Sequence, residues 1–179
     1  MKRIKIIGLG GIGTHLVEPL VRYLSYQDDH YEVTLMDGDD YEEGNRSRQQ
    51  FHAVGNKAKI TAEGLVGKFG RVYLKAKPEY LSPNNVVATI RENDLVFLCV
   101  DNHATRKLVS DRCEELDNVT LISGGNEYTD GDVIYYRREN GKDVTKPPTK
   151  LDPKIATPED RLPGQAGVRS QHSCENNMR

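Results

Sequence analysis

The stretch RIKIIGLGGIG, residues 3–13, constrains the fold of this chain more than any other. An isoleucine-rich run leads directly into glycines at positions 8, 10, 11 and 13, and a segment with helical spacing follows. A run of this kind predicts a strand that is buried on both faces, as strands of parallel sheets are. Glycines at G-x-G-x-x-G spacing between a strand and a helix form a tight turn that approaches phosphates closely. The start of the chain therefore predicts a nucleotide-binding strand–turn–helix unit.

Strand-like and helix-like segments go on alternating along the chain. Strand and helix segments that alternate at this spacing are typical of βαβ units. The sequence thus predicts an α/β fold, Rossmann-like and doubly wound, with a mostly parallel sheet and helices on both faces. The predicted strands are 3–7, 32–36, 71–77, 94–100, 118–123 and 133–138, and the predicted helices are 14–26, 56–70, 82–93 and 102–116.

Two of these helices carry specific expectations. In the helix over 14–26, Leu16, Leu20 and Leu24 share one face, and Pro19 should kink the helix or lie in its first turns. In the helix over 82–93, Ser82 is the expected N-cap, with a proline at the first helical position.

The chain changes character after residue 140. Residues 1–140 are expected to form the nucleotide-binding domain. Residues 141–179 are proline-rich and show no clear period, so we expect a crossover segment or tail. A domain of this type should return to its sheet, and the chain is therefore expected to be truncated.

Composition excludes several classes of function. The 179 residues include 25 basic and 27 acidic side chains, and the net charge of −2 gives no support for nucleic-acid binding. No apolar run approaches the ~18 residues of a membrane span, and no signal peptide is recognisable. The three cysteines are widely spaced, which argues against a disulfide framework and favours a reducing cytoplasm.

The stretch DGDDYEEGNRSRQQF, residues 37–51, carries the clearest chemistry. Asp37 ends the second predicted strand, where a carboxylate can accept hydrogen bonds from ribose hydroxyls of either NAD or ATP. Arg48 has a planar guanidinium that suits phosphate oxygens, and Asn45 can donate its amide to the same group. Lys57, near a predicted helix start, could add a point charge. The combination indicates a nucleotide whose phosphates face basic side chains.

Asp101, in the stretch CVDNHATR, follows the fourth predicted strand. The carboxyl ends of strands are where open α/β sheets bind ligands, and a carboxylate there can hold Mg²⁺ between phosphates. The alternative is that Asp101 only caps the helix that begins near Asn102.

These pieces together resemble the ThiF/MoeB-type adenylyltransferases of the ubiquitin-activating superfamily. GLGGIG, DGDDYEEGNRSRQQF, VGNKA and VDNHATR occur in the family's order over residues 4–137, and GTHLVEPLVRYL with NEYTDGDVIYY is similar to the phage- and plasmid-associated branch. The resemblance implies a nucleotide loop, a ribose acid, phosphate contacts and a Mg²⁺-associated aspartate. The nucleotide loop would be Gly8, Gly10, Gly11 and Gly13, and the ribose acid would be Asp37. The phosphate contacts would be Asn45, Arg48, Gln49 and Lys57, and the Mg²⁺-associated aspartate would be Asp101.

The resemblance also implies a reaction and partners. The family uses Mg-ATP to adenylate the C-terminal glycine carboxylate of a ubiquitin-like or sulfur-carrier protein, usually as a homodimer. An already ionised carboxylate needs no general base, which agrees with a site that lacks a Ser-His or Cys-His pair. Many relatives pass the adenylate to a cysteine in the crossover segment, and Cys174, near His172, lies in about that region.

The chain departs from the family in three further respects. The first predicted strand begins at Arg3, so we expect an N-terminal arginine of many relatives to be missing. The stretch from Arg48 to Lys57 is short, and the sequence lacks the family's zinc-binding cysteine pairs. Two other readings stay open. An NAD-dependent oxidoreductase explains the glycines and Asp37 but not the arginines, and an inert scaffold that binds nucleotide or protein fits the departures.

Overall fold

A seven-stranded sheet forms the centre of the protein in the computed structural model, which describes residues 1–47, 49, 51–126 and 130–164. The spatial order of the strands in the sheet is β5-β2-β1-β6-β7-β8-β9. The first five strands in this order, β5, β2, β1, β6 and β7, are parallel to one another, and β8 and β9 are added antiparallel at one side. The strands are β1 (Lys2–Ile7), β2 (Tyr31–Met36), β5 (Val72–Lys77), β6 (Asp94–Leu98), β7 (Val119–Asn126), β8 (Gly131–Glu139) and β9 (Lys142–Asp143), and a separate antiparallel pair is β3 (Asp40–Tyr41) and β4 (Gly55–Asn56).

Helices cover both faces of this sheet. On one face α1 and α2 enclose a core that includes Val17, Val33 and Leu65. On the other face α3 and α4 enclose a second core that includes Ile90 and Val109. The predicted doubly wound α/β fold is confirmed. The helices are α1 (Gly11–Ser25), α2 (Lys57–Leu65), α3 (Val86–Thr89), α4 (His103–Glu114), α5 (Pro148–Leu151) and α6 (Pro153–Ala156), with a 3₁₀ helix, η1, at Glu43–Ser47.

Strand β1 fixes the position of the site because it pairs with β2 on one side and β6 on the other. Ile7 lies opposite Met36 in β2 and opposite Leu98 in β6. The carboxyl ends of these three parallel strands therefore stop at one level, and the residues that follow them lie side by side at the same edge. This edge is the carboxyl edge of the sheet, and it carries the glycine turn, Asp37 and Asp101.

Helix α1 begins earlier than the sequence pattern suggested. The prediction began the helix at residue 14, but Gly11 and Gly13 already belong to it. Leu16, Leu20 and Leu24 lie on one helix as predicted, but the fully buried stripe consists of Gly13, Val17, Val21 and Leu24, and Leu16 and Leu20 are half-buried beside it. Pro19 lies in the helix interior and not in its first turns.

The long helix predicted over 82–93 is wrong, since only α3 is helical there. Asn85 accounts for the difference: its Oδ1 accepts a hydrogen bond from the backbone N–H of Ser82, and its Nδ2 donates to the Tyr80 carbonyl. Asn85, and not Ser82, occupies the N-cap position. Asn side chains that bond to nearby backbone stabilise turns at the expense of helix. The helix predicted over 56–70 likewise ends at Leu65, and Gly67 follows with φ +76°.

The segment after Asn140 contains short regular elements that pack on the rest of the fold. Strand β9 pairs with β8 through Arg138 and Asp143. Helix α6 contacts α4, and its Ile155 side chain is fully buried. Among the residues that the structure describes, no helix combines the length and hydropathy that a bilayer span requires.

Replacing Ile155 with alanine tests this packing. The side chain is completely buried, so Ile155→Ala should lower the free energy of unfolding by about 2–5 kcal/mol. Leu151→Ala in the neighbouring helix is the control, because Leu151 is half exposed, and it should change the value by less than about 1 kcal/mol. Urea unfolding followed by tyrosine fluorescence measures both, since the chain has nine tyrosines and no tryptophan. Equal losses would contradict the anchoring of this segment through Ile155.

Candidate functional site

The glycine turn between β1 and α1 is shaped by close backbone contacts. Gly8 has φ +90°, and a Cβ atom there would lie 2.8 Å from the Cys99 backbone. A Cβ atom at Gly13 would lie only 1.9 Å from the Gly8 carbonyl oxygen. Only glycine fits these two positions, because the turn folds back against both β6 and the first turn of α1.

Gly10 and Gly11 face open space instead. A Cβ atom at either position would meet no heavy atom within 4 Å. Gly10 is the N-cap of α1, and because it has no side chain it cannot accept hydrogen bonds from the backbone N–H groups of the first helical turn. A helix N-terminus with this open approach can bind a phosphate group. The turn therefore fits the phosphates of a nucleotide.

Asp37 follows β2 and is held by two backbone N–H groups. Leu9 donates to its Oδ2 at 2.6 Å, and Asp39 donates to its Oδ1 at 2.8 Å. Burial raises the pKa of the Asp37 carboxyl, because its side chain is mostly removed from water. The nearby Lys57 ammonium and the two N–H donors act in the opposite direction and favour the ionised form. The carboxylate thus lies against the glycine turn and keeps lone pairs for a further donor.

Lys57 is brought next to Asp37 by the start of α2. It is the first helical residue, and Asn56 caps the helix by accepting from the backbone N–H groups of Ala58 and Lys59. The Lys57 side chain is buried, and its Nζ donates to Asp39 Oδ2 at 3.3 Å. The structure therefore pairs this cation with Asp39, and its charge also acts on Asp37, the candidate ribose acceptor.

The other predicted phosphate contacts lie in or after η1. Asn45 is buried, and its Oδ1 accepts from the backbone N–H of Glu42 at 3.0 Å, which orients its amide within the loop. Gln49 is also buried, and its Oε1 has no partner among the described residues. Arg48 lies outside the described residues.

Asp101 lies at the carboxyl end of β6 and is exposed. It does not cap α4: Asn102 is the N-cap, and its Oδ1 accepts from the backbone N–H of Thr105 at 2.8 Å. The alternative reading of Asp101 as a helix cap is therefore wrong. No group of three or more His, Cys, Asp or Glu side chains suited to a metal occurs in the described part of the chain. An exposed single carboxylate fits Mg²⁺, which takes its remaining ligands from phosphates and water.

Several side chains that support the site were not predicted. Buried Arg106 clamps the ends of β6 and β7, since its Nη2 donates to the carbonyls of Val100 at 2.9 Å and Gly124 at 2.8 Å. The Asp160 carboxylate accepts from the backbone N–H groups of His103 and Ala104 at the start of α4, both at 2.7 Å. Arg106 lies within the quoted motif VDNHATR and could have been found there, but nothing in the sequence points to Asp160.

The described cysteines are poor nucleophiles. Burial raises the pKa of the Cys99 thiol to about 11 and that of Cys113 to about 12. A thiol with so high a pKa holds little thiolate at neutral pH. Cys174 lies outside the described residues.

A sizeable cavity lies away from the carboxyl edge. It has a volume of about 790 Å³ and lies between α1 and α2, with the stacked rings of Tyr41 and Phe51 among its lining residues. Asp37, Lys57 and Asp101 do not line it. The candidate site residues therefore lie on an open edge of the sheet and outside this cavity.

Comparison with known proteins gives one family. The ThiF family profile matches residues 1–161. The chain is 32% identical over 145 residues to the adenylyltransferase and sulfurtransferase UBA4 of Yarrowia lipolytica, covering 78% of this chain and 35% of that protein. It is 32% identical over 142 residues to the adenylyltransferase and sulfurtransferase MOCS3 of Drosophila sechellia, covering 77% and 30%. The chain thus spans about a third of the length of these curated relatives.

Solved structures agree on the fold. A crystal structure of E. coli MccB with AMPCPP and MccA superposes with a TM-score of 0.62 at 22% identity, over 87% of this chain and 47% of that one. E. coli tRNA N6-threonylcarbamoyladenosine dehydratase, TcdA, superposes with a TM-score of 0.57 at 22% identity, over 70% and 54%. At this identity the likeness supports the architecture alone.

Two glycine substitutions separate the structural and open positions of the turn. Gly13→Ala should lower the free energy of unfolding by at least about 3 kcal/mol, because its Cβ would overlap the Gly8 carbonyl. Gly11→Ala, two positions away in the same helical turn, should change it by less than about 1 kcal/mol. Urea titration of both variants measures the difference. Similar stability of the two would contradict the close contact between α1 and the turn.

Proposed function

We propose, from the premise that this chain belongs to the ThiF family, that it adenylates a carboxylate with ATP. The finer proposal is that the carboxylate is the C-terminal glycine of a ubiquitin-like or sulfur-carrier protein and that pyrophosphate is released. The observation that carries it is the carboxyl edge, where an open glycine turn, Asp37, Lys57 and Asp101 meet.

Asp37 is the proposed ribose acceptor. Each of its oxygens already accepts one backbone N–H, and a carboxylate has lone pairs for further donors. A ribose hydroxyl bound there would place the phosphates over the neighbouring glycine turn, where Gly10 and Gly11 leave room. The same two features would also suit NAD, so the choice of nucleotide depends on the charged groups around them.

Those charged groups favour a triphosphate. Lys57 and Arg48 are the proposed phosphate contacts, with Asn45 as an amide donor. Asp101 would hold Mg²⁺ against the phosphates, and the metal would neutralise charge on the leaving pyrophosphate. Asn45 and Lys57 are both buried, so their positions are fixed before a ligand arrives.

The reaction needs only positioning and charge stabilisation from these residues. A carboxylate oxygen of the substrate attacks the α-phosphorus of ATP, and a new C–O–P linkage forms. The bond from the α-phosphorus to the oxygen bridging it to the β-phosphate breaks, and that oxygen leaves with pyrophosphate. The attacking carboxylate is already ionised at neutral pH, so no proton has to be removed. Catalysis by positioned cations suits such a step.

The partner proposal depends on the relatives. UBA4 and MOCS3 are named as adenylyltransferases and sulfurtransferases, and the family resemblance adds a small carrier protein and a homodimer. We extend both partners to this chain as part of the proposal. A carrier protein with a C-terminal glycine is the substrate to offer in an assay.

Calorimetric titration with Mg-ATP and with NAD tests the nucleotide assignment. We expect ATP binding, which Lys57→Met and Arg48→Ala weaken about tenfold or more through loss of a charge-assisted contact. Lys59→Met is the matched control, because Lys59 is exposed in the same turn of α2, and it should bind ATP as the unaltered chain does. NAD binding that neither variant affects would overturn the adenylation proposal. Binding of neither nucleotide would favour the scaffold reading.

A thioester step, where one follows adenylation, is assigned to Cys174. The chain has three cysteines, and burial raises the thiol pKa of Cys99 and Cys113, which makes both poor nucleophiles at neutral pH. In that step the Cys174 thiolate attacks the acyl carbon of the adenylate, a C–S bond forms and AMP leaves. With ATP and a carrier protein, we expect a thioester adduct that added thiol cleaves, that Cys174→Ser abolishes and that Cys99→Ser retains. Mass spectrometry of the adduct locates the sulfur. An adduct on Cys99 would contradict both the assignment and the burial argument.

A further inference from the structure

The carboxylate of Asp39 is shared by two side chains from different elements. Lys57 Nζ donates to its Oδ2 at 3.3 Å, and the Tyr80 hydroxyl donates to its Oδ1. Lys57 comes from the start of α2 and Tyr80 from the loop after β5. Both acceptor atoms of Asp39 are therefore occupied, and the carboxylate is fixed at its two ends.

Lys57 has a second carboxylate within electrostatic range. Its charge acts on Asp37 and stabilises the ionised form of that side chain. Yet the hydrogen bond from its Nζ goes to Asp39, while Asp37 is bound by the backbone N–H groups of Leu9 and Asp39. The buried ammonium thus lies near two carboxylates and pairs with one of them.

This choice of partner matters for the proposed ribose contact. A buried ammonium that loses its partner pays a desolvation penalty and pairs with the nearest remaining carboxylate. If Lys57 paired with Asp37, it would compete with a ribose hydroxyl for the remaining lone pairs of that carboxylate, and it would draw the carboxylate away from the glycine turn. An ion pair with Asp39 prevents both effects.

We propose that Asp39 is a positioning residue, which binds Lys57 so that Asp37 stays free for the nucleoside. This inference rests on the proposed nucleotide site and deepens it. Asp39 itself touches no ligand, and it acts through Lys57. Its effect on nucleoside binding should therefore vanish when Lys57 carries no charge.

Tyr80 keeps the Asp39 carboxylate in the required orientation. The ring packs against Gly38, where a Cβ atom would lie 2.6 Å from it, and against Gly164, where a Cβ atom would lie 2.9 Å away. Burial and the hydrogen bond to Asp39 raise the pKa of the phenol, so it remains a donor at neutral pH. Loss of this donor would leave Asp39 bound at one end only.

The backbone of Asp39 is held independently of its side chain. Its carbonyl accepts from the backbone N–H of Lys57 at 2.9 Å and from Asn56 Nδ2 at 3.1 Å. Both contacts involve the backbone carbonyl and should persist in an Asp39→Asn variant, which keeps the shape of the side chain and removes its charge. The loop should therefore remain folded in that variant, and the change isolates the ion pair.

A double-mutant cycle with adenosine tests the proposal, because adenosine offers the ribose without phosphates. Asp39→Asn should weaken adenosine binding about tenfold, since Lys57 then pairs with Asp37. In a Lys57→Met background the same Asp39 substitution should change adenosine affinity by less than about twofold. Asp40→Asn is the matched control, because it removes an exposed charge from the adjacent position. NMR titration gives the four affinities, and thermal unfolding verifies that each variant is folded.

The outcomes distinguish this inference from the function on which it rests. Failure of the unaltered chain to bind either adenosine or ATP would overturn both. Normal binding by the unaltered chain and unchanged adenosine affinity in Asp39→Asn would overturn the positioning role alone. An equal loss from Asp39→Asn with and without the Lys57 charge would also overturn it, because Asp39 would then act on its own or on the fold.

Discussion

The contact between the glycine turn and β6 is the constraint on which the rest of the site depends. Gly8 lies so close to the Cys99 backbone that no other residue fits, and Gly13 closes the first turn of α1 onto the Gly8 carbonyl. The contact sets where α1 starts, and with it the open space at Gly10 and Gly11. The pairing of β1 with β2 then sets how far Asp37 lies from the turn, and the Leu9 N–H reaches its carboxylate at 2.6 Å.

Charge balance is the second property that holds the edge together. Lys57 and Asp37 are mostly buried, and Asp39 is half-buried. Each charge would therefore carry a desolvation penalty if it had no partner. The hydrogen bonds among Lys57, Asp39 and Tyr80 meet that cost while no ligand is bound. They also determine which carboxylate stays available. A bound triphosphate would add negative charge beside Lys57, which is the only buried lysine of the described carboxyl edge and is already paired with Asp39. A ligand that brings its own cation, such as Mg-ATP, is therefore favoured.

Much of this arrangement could be predicted from the sequence, because parallel strands place the residues after them at one edge. That rule alone located Asp37 and Asp101, and the helix start located Lys57. The rule fails where a side chain competes with the backbone: Asn85 stabilises a turn and shortens α3 to Val86–Thr89. It also fails for contacts between distant segments. Tyr80 meets Asp39 across 41 positions of the chain, and no local pattern encodes that pairing.

The same limit applies to Asp160, and its position shows how the later part of the chain takes part in the site. Its carboxylate binds the N–H groups of His103 and Ala104, next to Asp101, while Gly164 lies against the Tyr80 ring that contacts Asp39. Residues 160–164 therefore join the loop that carries Asp101 to the loop that carries Asp37 and Asp39. The N-terminus of α4 carries a partial positive charge, so the Asp160 carboxylate is stabilised there. The same helix polarity favours the binding of anions at this edge. The two halves of the proposed nucleotide site are held at a fixed distance by the sheet below and by this segment beside them.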